Sequence, residues 1–516
     1  PQAVRNGAYN NARQRAMKGA HRVVIVGDGL AAWMTADALA GTLGPAAGEI
    51  RVVLFPCDDA SALDATTPGV ATLLPGMDMD EERLIAKDAL AFTFGIAFDG
   101  WSDREKVFFQ PFGTIGAPIG PAPFYQLVLG LRHREVSARL ADYSIAALGA
   151  QAGRFTRPPD DQRSVLSTAR YGLHVDSAIL RRYLKASASE RNVEQTDGQL
   201  ESVKLTEDGA ISAVITDKGQ LVDGDFFIDC TGDERRLISR INDGRWIDWS
   251  DWLPCDRVAR TRISANAGPV PYSQAAAHES GWLRILPLAK SAEFQLTYQG
   301  DSLSDDRAAA YLAERCGKKQ VPQVGTLRFG RLDQPWQRNC VALGSAAAIV
   351  DPIMATQLDV LRSSIDRLLG LLPAVPDSTP ESREYNRRAS LELDNVRDFA
   401  ILPYKLNGRS GEALWDACRA MSVPETLEYK LQTFASRGIV SLGDEDRIED
   451  VSWISMLDEL DITPRTHSQL VRGLDTRDVE AHLERIRALM IDEVRRMPVH
   501  GDYLAHLKQR AVSPAK

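Results

Sequence analysis

The chain has 516 residues, 44% hydrophobic and 25% charged, with 61 basic and 70 acidic side chains and a net charge of −9. This length exceeds one minimal domain and predicts two domains or one large interleaved core. The acidic balance argues against a dedicated nucleic-acid surface, and no apolar run is long enough to cross a bilayer, so neither nucleic acid nor membrane is an expected partner.

The N-terminal residues and the cysteines bear on where the protein works. Residues 1–20 are basic, contain no acidic side chain and lack the apolar segment of a secretory signal, so we expect a disordered extension there. None of the six cysteines forms a CxxC pair, and the eight histidines show no HExxH or HxH spacing. A protein-bound metal is therefore not expected, and reduced thiols in a cytoplasmic protein account for the cysteines.

The most informative stretch is the run of residues 21–40, HRVVIVGDGLAAWMTADALA. Its β-branched run is typical of a buried parallel strand, and the turn that follows opens a helix rich in Ala, Leu and Met. Gly27 allows a tight bend, Gly29 lets backbone approach a pyrophosphate, and Ala32 permits close packing of helix on strand. The helix N-terminus offers free N–H groups to phosphates. Strand, GxGxxA turn and helix together favour a dinucleotide-binding fold over an ordinary βα turn.

Later segments extend this α/β pattern. Residues 50–55 (IRVVLF) predict a second parallel strand. The acidic residue that would bind the ribose hydroxyls at the end of this strand comes later than usual or is missing, which weakens the case for NAD as the cofactor more than the case for FAD. Residues 80–150 are expected to be helical and aromatic-rich. Alternation over residues 195–230 predicts a β-meander ending in a buried strand, and residues 258–300 predict a second sheet. From about residue 380 the pattern is helical with charged faces.

A series of short motifs stands in order along the chain. They are residues 27–33 (GDGLAAW), 64–68 (DATTP), 111–113 (PFG), 174–176 (HVD), 227–232 (FIDCTG), 253–257 (LPCDR), 281–282 (GW), 339–344 (NCVALG) and 351–352 (DP). In this order, from about residue 21 onward, the sequence resembles the flavin-dependent tryptophan halogenase family. Ordered agreement at so many places is stronger evidence than any single motif.

The resemblance implies a known chemistry. Reduced FAD, supplied by a separate flavin reductase that binds transiently, reacts with O2 to give a flavin C4a-hydroperoxide. Halide attacks this peroxide, and hypohalous acid travels through an internal tunnel to an aromatic substrate, where a lysine with a nearby glutamate directs the electrophile. The resemblance also implies a homodimer and a role in secondary metabolism.

On this basis we expect an α/β fold with an FAD-binding, Rossmann-like domain, a second β-sheet and a mainly helical C-terminal substrate region. Residues 21–375 would form the FAD-binding module with interleaved substrate-region insertions, and residues 376–516 the helical region that packs on the substrate side. The resemblance implies FAD contacts at Gly27, Gly29, Leu30, Ala31, Ala32, Asp64, Ala65, Thr66, Thr67, Leu343, Gly344, Asp351, Pro352 and Leu358.

The sequence departs from the family at the tunnel. Aligning residues 90–101 with the lysine-bearing segment puts Thr93 at the lysine position, and Met354 stands at the glutamate position. Threonine has no basic nitrogen, and a thioether cannot act as acid or base. Because a buried charge without its partner is costly, paired neutral replacement is physically coherent and indicates a redesigned site. Thr356 remains at the halide-facing position, beside Gln357, which would crowd a chloride.

Three further residues are candidates for substrate contact. Phe112 and Trp282 offer aromatic surfaces, although buried aromatic side chains are more often core. Arg284 stands at the second tryptophan of the family's WxWxIP signature and either binds a substrate carboxylate through its planar fork or forms a surface ion pair. His174 and Asp176 are interpreted as a structural pair, with Asp176 capping the helix that follows.

The sequence leaves three functions open. The first, which we favour, is a two-component monooxygenase that uses the flavin C4a-hydroperoxide without halide on an aromatic or indolic substrate. The second is a halogenase with an atypical tunnel, and the third is a non-catalytic flavin-binding partner protein. The use of halide, the identity of the substrate and the reductase are not specified by the sequence.

Overall fold

A computed structural model describes residues 22–44, 48–56, 63–68, 79–161, 163–241, 244–265, 268–317, 322–354, 357–372 and 379–512. The extension expected at residues 1–20 lies outside these ranges. The strands are β1 (Arg22–Val26), β2 (Glu49–Leu54), β3 (Leu63–Ala65), β4 (Leu90–Thr93), β5 (Gly95–Asp99), β6 (Val107–Pro111), β7 (Gly172–Asp176), β8 (Glu194–Leu205), β9 (Ile211–Thr216), β10 (Leu221–Asp223), β11 (Phe226–Asp229), β12 (Trp246–Asp248), β13 (Arg257–Ser264), β14 (Ser273–His278), β15 (Gly281–Pro287), β16 (Ser291–Tyr298), β17 (Gln323–Thr326), β18 (Gly330–Leu332), β19 (Trp336–Gln337), β20 (Cys340–Ala342) and β21 (Ala348–Ile349).

The helices alternate with these strands and then continue alone to the end of the described chain. They are α1 (Leu30–Leu43), α2 (Glu81–Ala86), α3 (Phe124–Arg132), α4 (Ile145–Gln151), α5 (Ser177–Glu190), α6 (Ile238–Ile241), α7 (Asp305–Arg315), α8 (Gln357–Leu371), α9 (Thr379–Lys405), α10 (Ala413–Ala420), α11 (Glu425–Arg437), α12 (Asp450–Glu459), α13 (Gln469–Arg472), α14 (Thr476–Arg496) and α15 (His500–Val512). None of the described helices combines the length and the hydropathy that a membrane span requires.

The first sheet is built around β1. Its strand order is β10-β9-β8-β2-β1-β11-β20-β19, and β2, β1, β11 and β20 run parallel. The valines and isoleucine of β1 are at most 2% exposed, as expected of a strand covered on both faces. Helix α1 follows β1 and packs against α5. This parallel centre confirms the predicted α/β fold, and β2 is the predicted second parallel strand.

A second sheet runs in the order β17-β13-β16-β15-β14-β5-β6. Its central strands β13 to β16 are antiparallel neighbours, as predicted for residues 258–300. A short sheet of β3, β7 and β4 lies beside it in the fold, and β3 contacts β15. These two sheets carry the residues that line the candidate site.

The expectation that residues 80–150 are helical is wrong for three segments. Strands β4, β5 and β6 lie there, and β4 pairs with β7 while β5 pairs with β14 and β6. Phe92 on β4 and Phe98 on β5 are fully buried, as is Phe94 between the two strands. Aromatic residues fit a pleated, buried surface, so long-range pairing outweighs the local pattern. Helices α2, α3 and α4 occupy other parts of the same range.

From Thr379 the described chain is helical. Helix α9 is 27 residues long, and its buried residues from Tyr385 to Tyr404 face the rest of the molecule. It packs against α8, α10 and β19, which joins the helical part to both the first sheet and the candidate site. The expected boundary at residue 375 falls outside the described residues, and the division into two regions stays a prediction.

Candidate functional site

The turn after β1 has the backbone that a dinucleotide fold needs. Gly27 has φ +150°, and a Cβ there would lie 2.5 Å from the carbonyl oxygen of Cys230 on the way out of β11. Only glycine fits this approach of two parallel strands. Gly29 is the N-cap of α1 and leaves the first N–H groups of the helix without a side-chain cap. Asp28 is engaged elsewhere, because Trp33 Nε1 donates to its Oδ1 over 3.0 Å.

A large cleft opens where the parallel strands end. It measures about 430 Å³ and is lined by the start of α1, the loop 231–234 after β11, and Gly344 after β20. Gly344 has φ +63°, and a Cβ there would approach the Cβ of Ala31 to 2.9 Å. The cleft therefore lies outside the carboxyl ends of β1, β11 and β20, where open α/β sheets bind their ligands. We call it the nucleotide cleft.

The structure brings six of the expected cofactor residues into this cleft and places the others around it. Those that line it are Leu30, Ala31, Asp64, Gly344, Pro352 and Leu358. Ala32 and Leu343 are fully buried behind it. Gly27 and Gly29 shape the turn rather than the lining. Ala65 and Thr66 line a second cavity, and Thr67 lines a third.

The residues of the nucleotide cleft fit an FAD molecule. Gly344 leaves its part of the cleft wall without a side chain, and a Cβ there would approach the Cβ of Ala31 to 2.9 Å. The first turn of α1 contains no acidic residue that would compete for its N–H groups, so the helix N-terminus is available to an anionic pyrophosphate. Arg260 lines the cleft, and its Nε has no hydrogen-bond partner among the described residues.

A smaller cavity adjoins this cleft, and we call it the inner cavity. It is narrow, about 20 Å³, and its lining includes Thr93, Phe112, Trp282, Arg284 and Met354. The structure therefore brings together the two positions interpreted from the sequence as the family's lysine and glutamate positions and all three expected substrate residues. Pro352 and Arg284 line both the inner cavity and the nucleotide cleft, so these two side chains mark the junction.

Thr93 and Met354 give the inner cavity neutral walls. Thr93 is 1% exposed, and its Oγ1 donates to the carbonyl oxygen of Gly95 over 3.0 Å, so the hydroxyl is occupied by its own turn. Met354 is 6% exposed and presents a thioether. Thr356, the expected halide-facing residue, lies outside the described residues. Among the described residues that line the cavity, Arg284 alone carries a charge.

Arg284 is a buried guanidinium with an incomplete set of partners. Its Nη2 donates to Gln295 Oε1 over 3.0 Å, and its Nη1 lies 3.8 Å from Asp64 Oδ1. Its residue exposure is 7%, which rules out the surface ion pair considered from the sequence. Burial lowers the pKa of Arg284 while Asp64 opposes that shift, and burial raises the pKa of Asp64.

Asp351 faces the core between two cleft residues. Its Oδ2 accepts a hydrogen bond from Tyr404 over 2.7 Å, and its Oδ1 accepts from the backbone N–H of Ile353 over 3.0 Å. Trp282 Nε1 in turn donates to the Tyr404 hydroxyl over 2.9 Å. Burial raises the pKa of Asp351 to about 7 despite these donors. Its carboxyl group therefore serves this network, while its neighbours Val350 and Pro352 line the nucleotide cleft.

A third cavity, the outer cavity, continues from the inner one. It measures about 270 Å³ between α8, α9 and the segment 447–452, and it shares Phe112 and Met354 with the inner cavity. Its lining is rich in charge, with Asp359, Arg362 and Asp366 from α8, Glu392 from α9, and Arg447 and Glu449 from the third segment. Nucleotide cleft, inner cavity and outer cavity thus follow one another in series.

Comparison with known proteins gives this geometry a family. The sequence model of the tryptophan halogenases matches residues 22–476. The chain belongs to the tryptophan halogenase family. The fold matches that of BrvH, a flavin-dependent halogenase from Brevundimonas sp. BAL3, with a TM-score of 0.89 and 32% identity over 95% of this chain and 99% of that one. A flavin-dependent halogenase from Xanthomonas campestris gives a TM-score of 0.88 and 29% identity, covering 95% and 98%.

A curated relative is similarly distant in sequence. The tryptophan 6-halogenase of Streptomyces toxytricini is 26% identical over 451 residues, which cover 83% of this chain and 85% of that protein. The family assignment and the α/β flavoprotein fold inferred from the sequence are confirmed, and so is the expectation of an FAD-dependent oxidoreductase. The roles of individual site residues stay predictions.

Two residues from the HVD segment are structural, as interpreted from the sequence. Asp176 Oδ1 accepts from the backbone N–H of Ile179 over 3.0 Å and caps α5. His174 is fully buried between the carbonyl oxygen of Pro287 and Ser273 Oγ, each 2.8 Å away. Burial lowers the pKa of His174 to about 3, so the ring is neutral and does not act as an acid near neutral pH.

Sequence reasoning missed several residues that line the nucleotide cleft. Arg260 and Gln295 lie on β13 and β16, where their facing direction depends on pairing between distant strands. The loop 231–234 overlaps the end of the FIDCTG motif at residues 227–232, and the glycine that closes this motif could have pointed to the loop. No group of three or more His, Cys, Asp or Glu side chains suited to a metal occurs within the described ranges.

Proposed function

We propose that this protein is a two-component, FADH2-dependent monooxygenase that transfers oxygen to an aromatic substrate without halide. The observation that carries the proposal is the pair of neutral side chains, Thr93 and Met354, in the inner cavity. Capture of an electrophilic halogen needs a basic nitrogen, and a hydroxyl and a thioether supply none. Oxygen transfer to an electron-rich ring has no such requirement.

The nucleotide cleft would hold FAD through Leu30, Ala31 and Gly344 near the helix N-terminus, with Asp64, Pro352 and Leu358 on the opposite wall. Reduced FAD, when bound, supplies the chemistry that activates O2. Because Pro352 borders both the cleft and the inner cavity, oxygen activated in the cleft reaches a ring held beside Met354 by a short path.

The inner cavity would orient the substrate. Phe112, which also lines the larger outer cavity, and Trp282 would offer apolar walls to the edge of an aromatic or indolic ring that enters from there. The Trp282 indole is held in place by its hydrogen bond to Tyr404, so this wall is rigid. The outer cavity is the path by which a substrate would arrive, and its charged lining suits polar substituents.

The proposal includes the setting in which the protein works. A separate flavin reductase would supply FADH2 through transient contact, and the protein would act as a homodimer in the cytoplasm. Residues 21–375 would bind the cofactor, while the helices of residues 376–516 would close the substrate side.

A second candidate is a flavin-dependent halogenase with an atypical tunnel. It is favoured by Arg284, a cation in the wall of the inner cavity, and by the similarity to proteins that are halogenases. A guanidinium stays protonated and is a poor nucleophile, so it would hold an anionic or polar oxidant without forming a haloamine.

The test is turnover with labelled oxygen. The purified protein is incubated with chemically reduced FAD, 18O2 and a panel of indoles and phenols, with and without bromide, and products are identified by mass spectrometry. Incorporation of one 18O atom irrespective of bromide supports the monooxygenase. A brominated product establishes the halogenase instead, and peroxide release with every substrate unchanged contradicts both catalytic proposals.

Two variants sharpen this experiment. Thr93→Val keeps the shape of the side chain and removes a hydroxyl that is bound within its own turn, so the product should not change. Thr93→Lys combined with Met354→Glu restores the charged pair of the family and should produce some halogenation. A double variant that forms no halogenated product would count against the correspondence of these positions.

A further inference from the structure

Four buried aromatic side chains form a continuous cluster that begins at the inner cavity and leads away from it. Trp282 lines that cavity, and its ring centroid lies 6.3 Å from that of Trp101. The Trp101 ring lies 5.0 Å from that of Trp415, and the Tyr404 ring lies 5.8 Å from each of these two. All four residues are fully buried, and these separations are those of aromatic rings in contact. We call these four residues the aromatic cluster.

The far end of the aromatic cluster approaches the protein surface. Trp415 Nε1 donates to the carbonyl oxygen of His278 over 2.8 Å, and the His278 ring lies 4.7 Å from the ring of Tyr311 on α7. His278 and Tyr311 are both partly exposed. The aromatic cluster therefore connects the inner cavity with solvent on the side of α7.

Tyr404 has a proton acceptor beside its hydroxyl. The hydroxyl donates to Asp351 Oδ2 over 2.7 Å and accepts from Trp282 Nε1 over 2.9 Å. A tyrosine that has lost an electron is a strong acid, and a carboxylate at hydrogen-bond distance takes its proton directly. Burial raises the pKa of Asp351 to about 7, which makes its carboxylate a better proton acceptor than that of an ordinary aspartate. The pair thus has the parts of a redox-active tyrosine.

We propose that the aromatic cluster carries one-electron oxidising equivalents out of the inner cavity and so protects the site from oxidative damage. The oxidant is a one-electron acceptor formed at the flavin, since flavins support one-electron chemistry. Trp282 gives one electron to this oxidant. Tyr404 then gives one electron to Trp282, and its phenolic proton passes to Asp351 Oδ2. The products are the oxidant reduced by one electron, a neutral tyrosyl radical and a protonated Asp351.

The tyrosyl radical returns to tyrosine with an electron from solution. A one-electron reductant such as ascorbate gives that electron through Trp415 on the side of α7, and Asp351 returns the proton to Tyr404. The oxidising equivalent thus leaves the inner cavity without converting Met354 in its wall to a sulfoxide. The inference goes beyond the proposed function, because it depends on a flavin next to the inner cavity and not on which product forms.

The test follows radicals in the full chain loaded with oxidised FAD, without O2 and without an aromatic substrate. Blue light converts the bound flavin into a one-electron oxidant, and transient absorption and electron paramagnetic resonance identify the radicals. We expect a flavin radical paired with a tyrosyl radical whose decay is accelerated by ascorbate. The matched control is Trp336→Phe, because Trp336 is also buried against aromatic rings, those of Phe226 and Tyr385, but lines none of the three cavities.

Each step of the path has its own variant. Tyr404→Phe should eliminate the tyrosyl signal and leave a tryptophan radical that recombines faster with the flavin. Asp351→Asn should also eliminate the tyrosyl signal, because an amide is too weak a base to take the phenolic proton. Trp415→Phe should keep the tyrosyl radical but lose the effect of ascorbate, and Trp336→Phe should change neither.

Three results would overturn the proposal. They are the absence of a tyrosyl radical from the wild type, its survival in Tyr404→Phe or Asp351→Asn, and an unchanged effect of ascorbate in Trp415→Phe. The outcome is independent of the oxygen-transfer assay, since the light-driven reaction uses neither O2 nor an aromatic substrate.

If Tyr404→Phe does not fold, wild-type protein in which all 12 tyrosines are replaced by 3-fluorotyrosine decides the question. A fluorine splitting in the radical spectrum identifies tyrosine as the carrier, and pulsed magnetic resonance then measures its distance from the flavin radical. A radical located at Tyr404 supports the proposal. A radical at Tyr385, another fully buried tyrosine, or one without a fluorine splitting refutes it.

Discussion

Asp351→Asn is predicted to change the stability of the protein with opposite signs at acidic and alkaline pH. Burial raises the pKa of Asp351 to about 7 from an ordinary value of 3.8. Because the folded state holds the proton more tightly than the unfolded state, the free energy of unfolding falls as the pH rises between these two values. The penalty is absent at low pH and complete above the folded-state pKa. Asparagine does not ionise and so escapes it.

The size of the effect follows from the two pKa values. Their difference, 7 less 3.8, is about three pKa units, and each unit corresponds to about 1.4 kcal/mol, so the penalty reaches about 4 kcal/mol above neutral pH. Asparagine cannot accept the Tyr404 hydrogen bond as a carboxylate does, and that loss costs about 1 kcal/mol. The variant should therefore be more stable than wild type by about 3 kcal/mol at about pH 8, and less stable by about 1 kcal/mol at about pH 3, below both pKa values.

Denaturant unfolding at both pH values measures the difference. The control is Asp305→Asn: Arg257 lowers the pKa of Asp305, so this change should stabilise the protein at neither pH. FAD affinity of Asp351→Asn should stay close to that of wild type, since the carboxyl group faces Tyr404. A variant less stable than wild type at both pH values would refute the reasoning about the buried proton, and a large loss of FAD affinity would assign the carboxyl group to the cofactor.

Three more variants test other parts of the site. Gly27→Ala should abolish FAD retention on gel filtration, because the added Cβ would collide with the carbonyl oxygen of Cys230. The control Gly219→Ala also has a positive φ, but no atom lies within 4 Å of the added Cβ, so this variant should retain FAD. Equal FAD retention by both variants would contradict the role of the turn. Tyr404→Phe removes the hydroxyl that donates to Asp351 and accepts from Trp282, so the free energy of unfolding at neutral pH should fall by about 2–3 kcal/mol. An unchanged unfolding curve would contradict a stabilising role of this network. A double-mutant cycle tests whether positions 93 and 354 meet. Thr93→Lys alone should destabilise the protein more than Met354→Glu alone, because Arg284 already places a positive charge in the inner cavity, and the double variant should be more stable than the sum of the two single effects predicts. Simple additivity of the two effects would show that the side chains do not interact.

The parts of the fold that are encoded locally could be predicted from the sequence. The β1 turn is one example, since strand, glycines and helix lie within twenty consecutive residues and each residue type has its own steric reason. The cap at Asp176 is another, because it depends on a residue three positions away. The relation of Thr93 to Met354 was inferred by resemblance, and the cavity that both line agrees with it.

Features that depend on long-range pairing could not be predicted. The row of Arg260, Gln295 and Arg284 exists only because β13, β16 and β15 pair in one register, and a shift of one residue would turn these side chains to the other face. The strands within residues 80–150 were missed for the same reason, as their partners β7 and β14 lie far along the chain. The burial of Asp351 likewise depends on Tyr404, which is 53 residues away.

The neutral side chains at positions 93 and 354 differ from what the loss of one member of a charged pair would leave. Random damage to a lysine–glutamate pair would leave one buried charge alone, at a cost of several kcal/mol. Here both positions are neutral, while a guanidinium stands at the junction with the nucleotide cleft, with Asp64 and Glu293 close enough to limit the cost of burying it.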